Sequence, residues 1–130
     1  KDVVLHVSSS RKEIAATRSL GVELGLDPNE VPTIIVTALA HIAHQIVDVF
    51  RLRGIILTGG DTARAVCEKL GGVGIEVWEE VEPGIPIGLL VGNHELLVIT
   101  KAGAFGTPEA LVKSLDWLKR GDQSIHLGGE

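Results

Sequence analysis

The sequence predicts an α/β domain built on a mixed, partly parallel sheet with helices packed on it. Three observations carry this. The run Ile55-Ile56-Leu57 is short and apolar on both faces, as in a parallel strand covered by helices. From Ile35 to Phe50 apolar residues return at steps of three and four, the stripe of a long helix. After Gly54, strand and helix signals alternate.

Taken in order, Val3 to Val7 reads as a short buried strand, and Ser8, Ser9 and Ser10 each offer a helix cap. Arg11 to Leu24 reads as a helix with Ile14, Leu20 and Leu24 at helical spacing and Gly25 as its stop. Pro32 suits the first turn of the next helix, where its missing N–H costs nothing. The stripe Ile35, Ala38, Leu39, Ile42, Ile46, Val49, Phe50 follows, and Gly54 closes it. Ile55–Leu57 is a strand, Gly59-Gly60 a turn, and Asp61 to Leu70 a helix ended by Gly71-Gly72. Ile75 to Val81 is the next strand. Glu82-Pro83-Gly84-Ile85-Pro86 is a stiff corner. Ile87–Val91 and Leu96–Thr100 form a hairpin about Gly92-Asn93-His94-Glu95, because Gly-Asn supplies positive φ cheaply. Pro108 opens a last helix running to about Arg120. The resulting order, β-α-α-β-α-β-β-β-α, is that of a three-layer, Rossmann-like fold. Residues 1–120 make one domain, and 121–130 a polar, Gly-rich tail of the kind that stays disordered.

Composition narrows the function. A chain of 130 residues with 45% apolar and 22% charged residues can bury one core. A net charge of −5, with Lys12, Arg51 and Lys119 scattered singly, argues against a nucleic-acid partner. The longest apolar run, Pro32 to Ala40, is interrupted by Thr33 and Thr37 and falls short of the roughly 18 residues of a membrane span. Cys67 is the only cysteine, so no internal disulfide forms, and a lone thiol fits a reducing cytoplasm. The chain has no methionine and enters the apolar run Val3-Val4-Leu5 almost at once. Processing would give such a start, but the pattern better suits the C-terminal piece of a longer protein.

The strongest chemical signal is Gly54 to Ala63, where a strand ends, Gly59-Gly60 turns the chain and a helix begins. A helix N-terminus offers free N–H groups and partial positive charge to a phosphate. Gly59 and Gly60 let the backbone come close, Thr62 offers a hydroxyl, and Asp61 either caps the helix or holds Mg²⁺ or its water shell. An ordinary tight turn is the competing reading. Thr100 to Thr107 repeats the strand–loop–helix pattern. Lys101 brings a charge, Gly103 and Gly106 permit close backbone approach, and Phe105 supplies an apolar wall. Two such corners on one sheet can line one crevice. Pro83 to Gly88 shapes a base pocket or a domain interface or, more simply, a turn between strands. No Walker A pattern is present. Glu79 and Glu80 lie where a dinucleotide fold places its ribose-binding acid, but the Gly-x-Gly-x-x-Gly pattern is missing. His41 and His44 sit three apart on a helix with no Glu or Cys at a known metal spacing, so a partly exposed helix face is the better reading and no metal site is assigned. His6, His94 and His126 are isolated in sequence, and Cys67 packs inside its helix.

Three segments, in order, carry a resemblance: Leu57-Thr58-Gly59-Gly60-Asp61-Thr62-Ala63, Glu82-Pro83-Gly84-Ile85-Pro86-Ile87-Gly88 and Thr100-Lys101-Ala102-Gly103-Ala104-Phe105-Gly106. The chain resembles the C-terminal, nucleotide-binding domain of the four-carbon acid sugar kinases. The resemblance implies a two-domain enzyme that phosphorylates threonate, erythronate or 3-oxo-tetronate with ATP and Mg²⁺. Its N-terminal domain would bind the sugar acid and supply the catalytic acidic residue, and its C-terminal domain would bind ATP. It implies that Gly59, Gly60, Asp61, Thr62 and Gly103 contact ATP. An ATP-contacting serine of the family lies in a motif that Ser8, Ser9 and Ser10 do not match, so the role is not carried to them. No catalytic base is assigned to this chain. A homodimer is compatible with the resemblance. A nucleotide-sensing module without catalysis, a dinucleotide-dependent oxidoreductase domain and a purely structural α/β domain are the alternative readings.

Overall fold

The computed structural model describes residues 1–7 and 10–128, with side chains described as far as Arg120. Its backbone divides into two compact units, Lys1–Ile35 and Val36–Glu130.

In the first unit, α1 (Arg11–Glu23) begins at a capping box: the Ser10 side chain accepts from the Glu13 N–H while the Glu13 carboxylate accepts from the Ser10 N–H. Ser10 is therefore the cap, and Ser8 and Ser9 lie outside the described residues. The helix stops in a Schellman arrangement, with Gly25 N–H donating to Val22 O and Leu26 N–H to Gly21 O, and Gly25 at φ 76°. The expected strand over Val3–Val7 does not form. Residues 1–7 are irregular, and Val3 and Val4 are 80% and 85% exposed. A strand needs a neighbour to satisfy its backbone groups, and the sheet contains no pairing to this segment among the described residues.

The second unit carries the later part of α2 (Val31–Val49), then β1 (Gly54–Thr58), α3 (Gly60–Lys69), β2 (Gly72–Glu82), β3 (Ile85–Gly92), β4 (Leu97–Lys101) and α4 (Ala110–Gly128). The helix α4 thus runs past Arg120, where the sequence signals place its end. Four strands form one sheet in the order β1-β4-β3-β2. β1 and β4 are parallel, whereas β4–β3 and β3–β2 are antiparallel. The sheet is mixed, as expected, but its parallel pair lies at the β1 edge and not in the centre.

Alternation along β4 builds the layers. Leu96, at the start of the strand, and Val98 join Ala40, Ala43, Leu57, Val66, Leu70 and Leu90 in one core. Leu97 and Ile99 join Ile85, Ile87, Ala110 and Leu118 in a second core on the other face. Helices α2 and α3 cover one face and α4 the other, so the central strands are apolar on both sides. The face that α2 buries differs from the expected stripe. Ala40 and Ala43 are buried and Val47 packs beside them, while Ile42, Val49 and Phe50 stay exposed. Small side chains let the helix approach the sheet closely, and Ile42, Val49 and Phe50 are left outside. The membrane expectation also needs correction: α2, at 19 residues, is long and apolar enough to cross a bilayer by length and composition. Its Ala40 and Ala43 face is instead packed into the sheet core.

One contact fits two strands together and another ties the sheet to a loop. At Gly88 a Cβ would lie 2.1 Å from Glu76 O and 2.8 Å from Ile75 Cγ2, so only glycine lets β3 pass β2 here. At the end of β2, Glu82 is only 9% exposed. Its carboxylate accepts from the Thr107 hydroxyl at 3.1 Å and from the Thr107 N–H at 3.2 Å, with Lys113 Nζ at 3.7 Å. The Thr107 hydroxyl, then its N–H and the Lys113 charge, hold the Glu82 carboxyl below its ordinary value; burial opposes the shift without cancelling it.

Gly88→Ala is expected to cost about 1–3 kcal/mol in urea unfolding, by overpacking against β2. Gly74→Ala, where a Cβ meets nothing within 4 Å, should stay near wild type. Equal midpoints for the two variants would contradict the packing. Because Glu82 ionises more readily folded than unfolded, its contribution is complete above the ordinary value of 4.5 and fades as pH falls through the lowered folded value. The thermal midpoint of the wild type should therefore exceed that of Glu82→Gln at neutral pH and converge with it in acid. Parallel curves down to pH of about 3 would refute the clamp.

Candidate nucleotide-binding corner

The parallel pairing of β1 with β4 sets Thr58 opposite Lys101. Both chains leave the sheet there, at the same end and side by side. The Gly59 N–H donates to Lys101 O at 2.9 Å, which ties the two loops together. The two Gly-rich corners singled out in the sequence are therefore one structural feature, at the carboxyl ends of adjacent strands, where ligands of such sheets bind.

Gly59 is the N-cap of α3 at φ 89°, a conformation that favours glycine, and no side chain caps the helix. The reading of Asp61 as N-cap is thus corrected: Asp61 lies within the first turn and is exposed. Helix geometry leaves the N–H groups of Gly60, Asp61 and Thr62 without intrahelical acceptors. They point out of the end of α3 with the positive end of its dipole. Thr62 Oγ1 would lie 3.7 Å from a Cβ at Gly59, so its hydroxyl borders the same turn. A Cβ at Gly60 or at Gly103 would meet nothing within 4 Å. The space over both corners is open, and no protein packing explains these two glycines. An anionic oxygen fits that space and those donors. One exposed carboxylate, Asp61, stands in the first turn of α3 beside these donors.

The remaining residues of the second corner divide. Lys101 turns its Nζ onto its own loop, 3.4 Å from Ala102 O and 3.3 Å from Gly103 O. Gly106 has φ 95°, and a Cβ there would lie 2.7 Å from Ile85 Cδ1 and 2.9 Å from Ala110 Cβ. Packing and backbone conformation alone therefore account for Gly106. Phe105 lies against Gly84, where a Cβ would come within 2.4 Å of its ring.

The segment Pro83 to Gly88 is the turn reading and not a base pocket. Gly84, at φ 83°, makes the bend between β2 and β3, and its N–H donates to Glu80 Oε1 at 3.1 Å. Ile85 and Ile87 are fully buried. Sequence reasoning missed the partnership of Glu82 with Thr107, which braces the second corner; a Glu directly before Pro-Gly at a strand end was the available signal. Glu79 and Glu80 are not placed for a dinucleotide ribose. They stand on β2, at the opposite edge of the sheet from β1. Glu79 accepts from the Trp117 indole N–H, and Glu80 is used by Gly84.

Beside the first corner, a groove of about 300 Å³ runs between α3 and the start of β2. Ala63, Cys67, Gly72, Val73, Ile75 and Thr100 line it. Burial pushes the Cys67 thiol above its ordinary value, so the sulfur is a neutral wall and not a nucleophile at neutral pH.

A family model described as the nucleotide-binding C-terminal domain matches residues 1–111. D-threonate kinase of Salmonella typhimurium is 42% identical over 77 residues, covering 58% of this chain and 18% of the relative. D-erythronate kinase of Heliobacterium modesticaldum is 34% identical over 97 residues, covering 72% of this chain and 22% of the relative. The crystal structure of a domain of unknown function from Bordetella bronchiseptica, a domain-swapped dimer with bound citrate, superposes with a TM-score of 0.64 at 35% identity, over 73% of this chain and 23% of that one. The chain spans about a fifth of the length of these relatives. The order of the corners on the sheet and the match over residues 1–111 lead to one conclusion: the chain belongs to the nucleotide-binding C-terminal domain family of the four-carbon acid sugar kinases.

Proposed function

We propose that the chain binds ATP at the joined corners and is the nucleotide-binding part of a kinase that phosphorylates a four-carbon sugar acid such as threonate, erythronate or 3-oxo-tetronate. The observation that carries this is the Gly59 N–H to Lys101 O bond, which makes one open crevice of two glycine loops. Gly59, Gly60 and Gly103 cradle phosphates through backbone N–H groups, and Thr62 adds a hydroxyl hydrogen bond. Asp61 would hold Mg²⁺, whose charge would offset the repulsion between this carboxylate and the phosphates. Lys101 swings from its own loop carbonyls to the developing charge on the transferred phosphoryl group. Gly106 sets the course of the loop. The groove along Ala63 and Cys67 gives the base an apolar wall next to the phosphate corner.

Phosphoryl transfer rests on positioning and charge neutralisation, and it needs an acceptor held in line. On this reading, residues 1–120 work with an N-terminal sugar-binding domain of the same cytoplasmic protein, which brings the acceptor hydroxyl and the catalytic acid. The chain alone then binds nucleotide and transfers little phosphate. A homodimer is the assembly that the swapped relative suggests.

Titration with Mg²⁺·ATP, followed by amide NMR, should move Gly59, Gly60, Thr62 and Gly103, with smaller shifts at Ala63 and Cys67. If those residues stay still while others respond, the site lies elsewhere. Gly103→Val should weaken ATP binding at least about tenfold, or 1.4 kcal/mol, at an unchanged thermal midpoint, because its side chain enters open space over the loop. Wild-type affinity in that variant would sink the assignment.

A further inference from the structure

At the other end of β4 a second cluster has no part in the nucleotide site. His44 and Asp48 lie one turn apart on α2, with His44 Nδ1 3.4 Å from Asp48 Oδ2. His94, from the loop between β3 and β4, places Nε2 3.8 Å from Asp48 Oδ1. The two imidazole rings stand edge to face, their centroids 6.2 Å apart. One ligand atom from each of the three residues lies within 4.8 Å of the others.

These separations are too long for charge-assisted hydrogen bonds, which run about 2.7–2.9 Å. The His44–Asp48 distance of 3.4 Å is that of two ligands of a small ion, and the others, within 4.8 Å, are wider and would have to close on binding. Bonds of about 2.0–2.2 Å in a tetrahedral site keep ligand atoms roughly 3.3–3.6 Å apart. The donor set is also selective. Two imidazoles with one carboxylate suit zinc, cobalt or nickel, whereas Mg²⁺ and Ca²⁺ prefer all-oxygen ligands. The side chains of His44 and His94 are 32% and 28% exposed and that of Asp48 is 48% exposed, which leaves the outer side open for water or a further ligand. The loop that presents His94 is held in place. Leu90 N–H donates to Leu96 O at 2.9 Å, and a Cβ at Gly92 would lie 2.3 Å from Gly71 O.

We propose that His44, Asp48 and His94 form a binding site for a divalent transition-metal ion of the zinc class, with three protein ligands and an open position. The ion would clip the last turns of α2 to the β3–β4 loop. His41, one turn earlier on α2 and exposed, takes no part. The five residues of β4 separate this site from the corner by on the order of 15 Å, so an ion here does not touch the nucleotide phosphates.

The test is titration of the chain with Zn²⁺ in competition with a chromophoric chelator, and with Co²⁺ followed by its visible absorption. The expected result is one ion per chain, a tetrahedral Co²⁺ spectrum, a raised thermal midpoint with Zn²⁺ and no change with Mg²⁺. His94→Ala and Asp48→Asn should each weaken Zn²⁺ at least about tenfold, with His41→Ala at wild-type affinity and ATP binding unchanged in all three. Circular dichroism confirms that each variant is folded. Wild-type Zn²⁺ affinity in the His44→Ala/His94→Ala double variant, or affinity no tighter than about 1 mM in the wild type, overturns the proposal.

Discussion

The parallel pairing of β1 with β4 is the constraint on which the rest of the second unit depends. It brings together two segments forty-odd positions apart, with Thr58 opposite Lys101, so that two loops leave the sheet in the same direction. A parallel pair cannot be closed by a tight turn and needs a long crossover. Here the crossover is α3 and the β2–β3 hairpin, and each part is used. The helix α3 begins at the first corner, and the hairpin supports the second. Were β1 and β4 antiparallel, Gly59 and Gly103 would lie at opposite ends of the sheet and neither would complete the other.

The hairpin explains why a segment with no open face belongs with two glycine loops. Pro83 and Gly84 turn the chain so that Phe105 lies against Gly84, and Gly106 passes close to Ile85. Glu82 then holds Thr107 by its N–H and hydroxyl. The second corner is thus seated on the hairpin by packing and by a buried carboxylate. A loop of exposed residues keeps one geometry only with such support. Gly60 and Gly103 have open space where a Cβ would stand, whereas Gly84, Gly88 and Gly106 are crowded by neighbouring protein atoms. Crowding at a built Cβ therefore identifies the glycines that packing alone explains; openness does not by itself mark a site, since Gly74 is open too.

Much of this was legible in the sequence, for a physical reason. A site made of backbone needs glycine at fixed places beside strand ends, and glycine spacing is visible along a chain. The corners, α3 and the hairpins could be read that way. What could not be read depended on partners. Val3–Val7 has the composition of a strand, yet composition does not supply the neighbour a strand requires. On α2 the apolar stripe was visible, but which flank faces the sheet is decided by fit. Ala40 and Ala43 win over Ile42 and Phe50 because a close-packed interface rewards small residues there. The position of the parallel pair at the sheet edge was likewise hidden, since strand order is not written in any one strand.

The same distinction separates the two ends of the sheet. At the carboxyl end of β4 the exposed groups of the proposed site are peptide N–H groups, which are indifferent to side-chain identity. At its other end the chemistry lies in His44, Asp48 and His94, residues from two elements that meet only because the β3–β4 loop folds back toward α2. His41 and His44 were the pair visible in the sequence, but His41 is exposed and the neighbours of His44 are Asp48 and, from the hairpin, His94. A local spacing rule finds ligands that share one helix or one loop. It fails when tertiary contact supplies the third group, so side-chain clusters of this kind have to be sought in the folded chain.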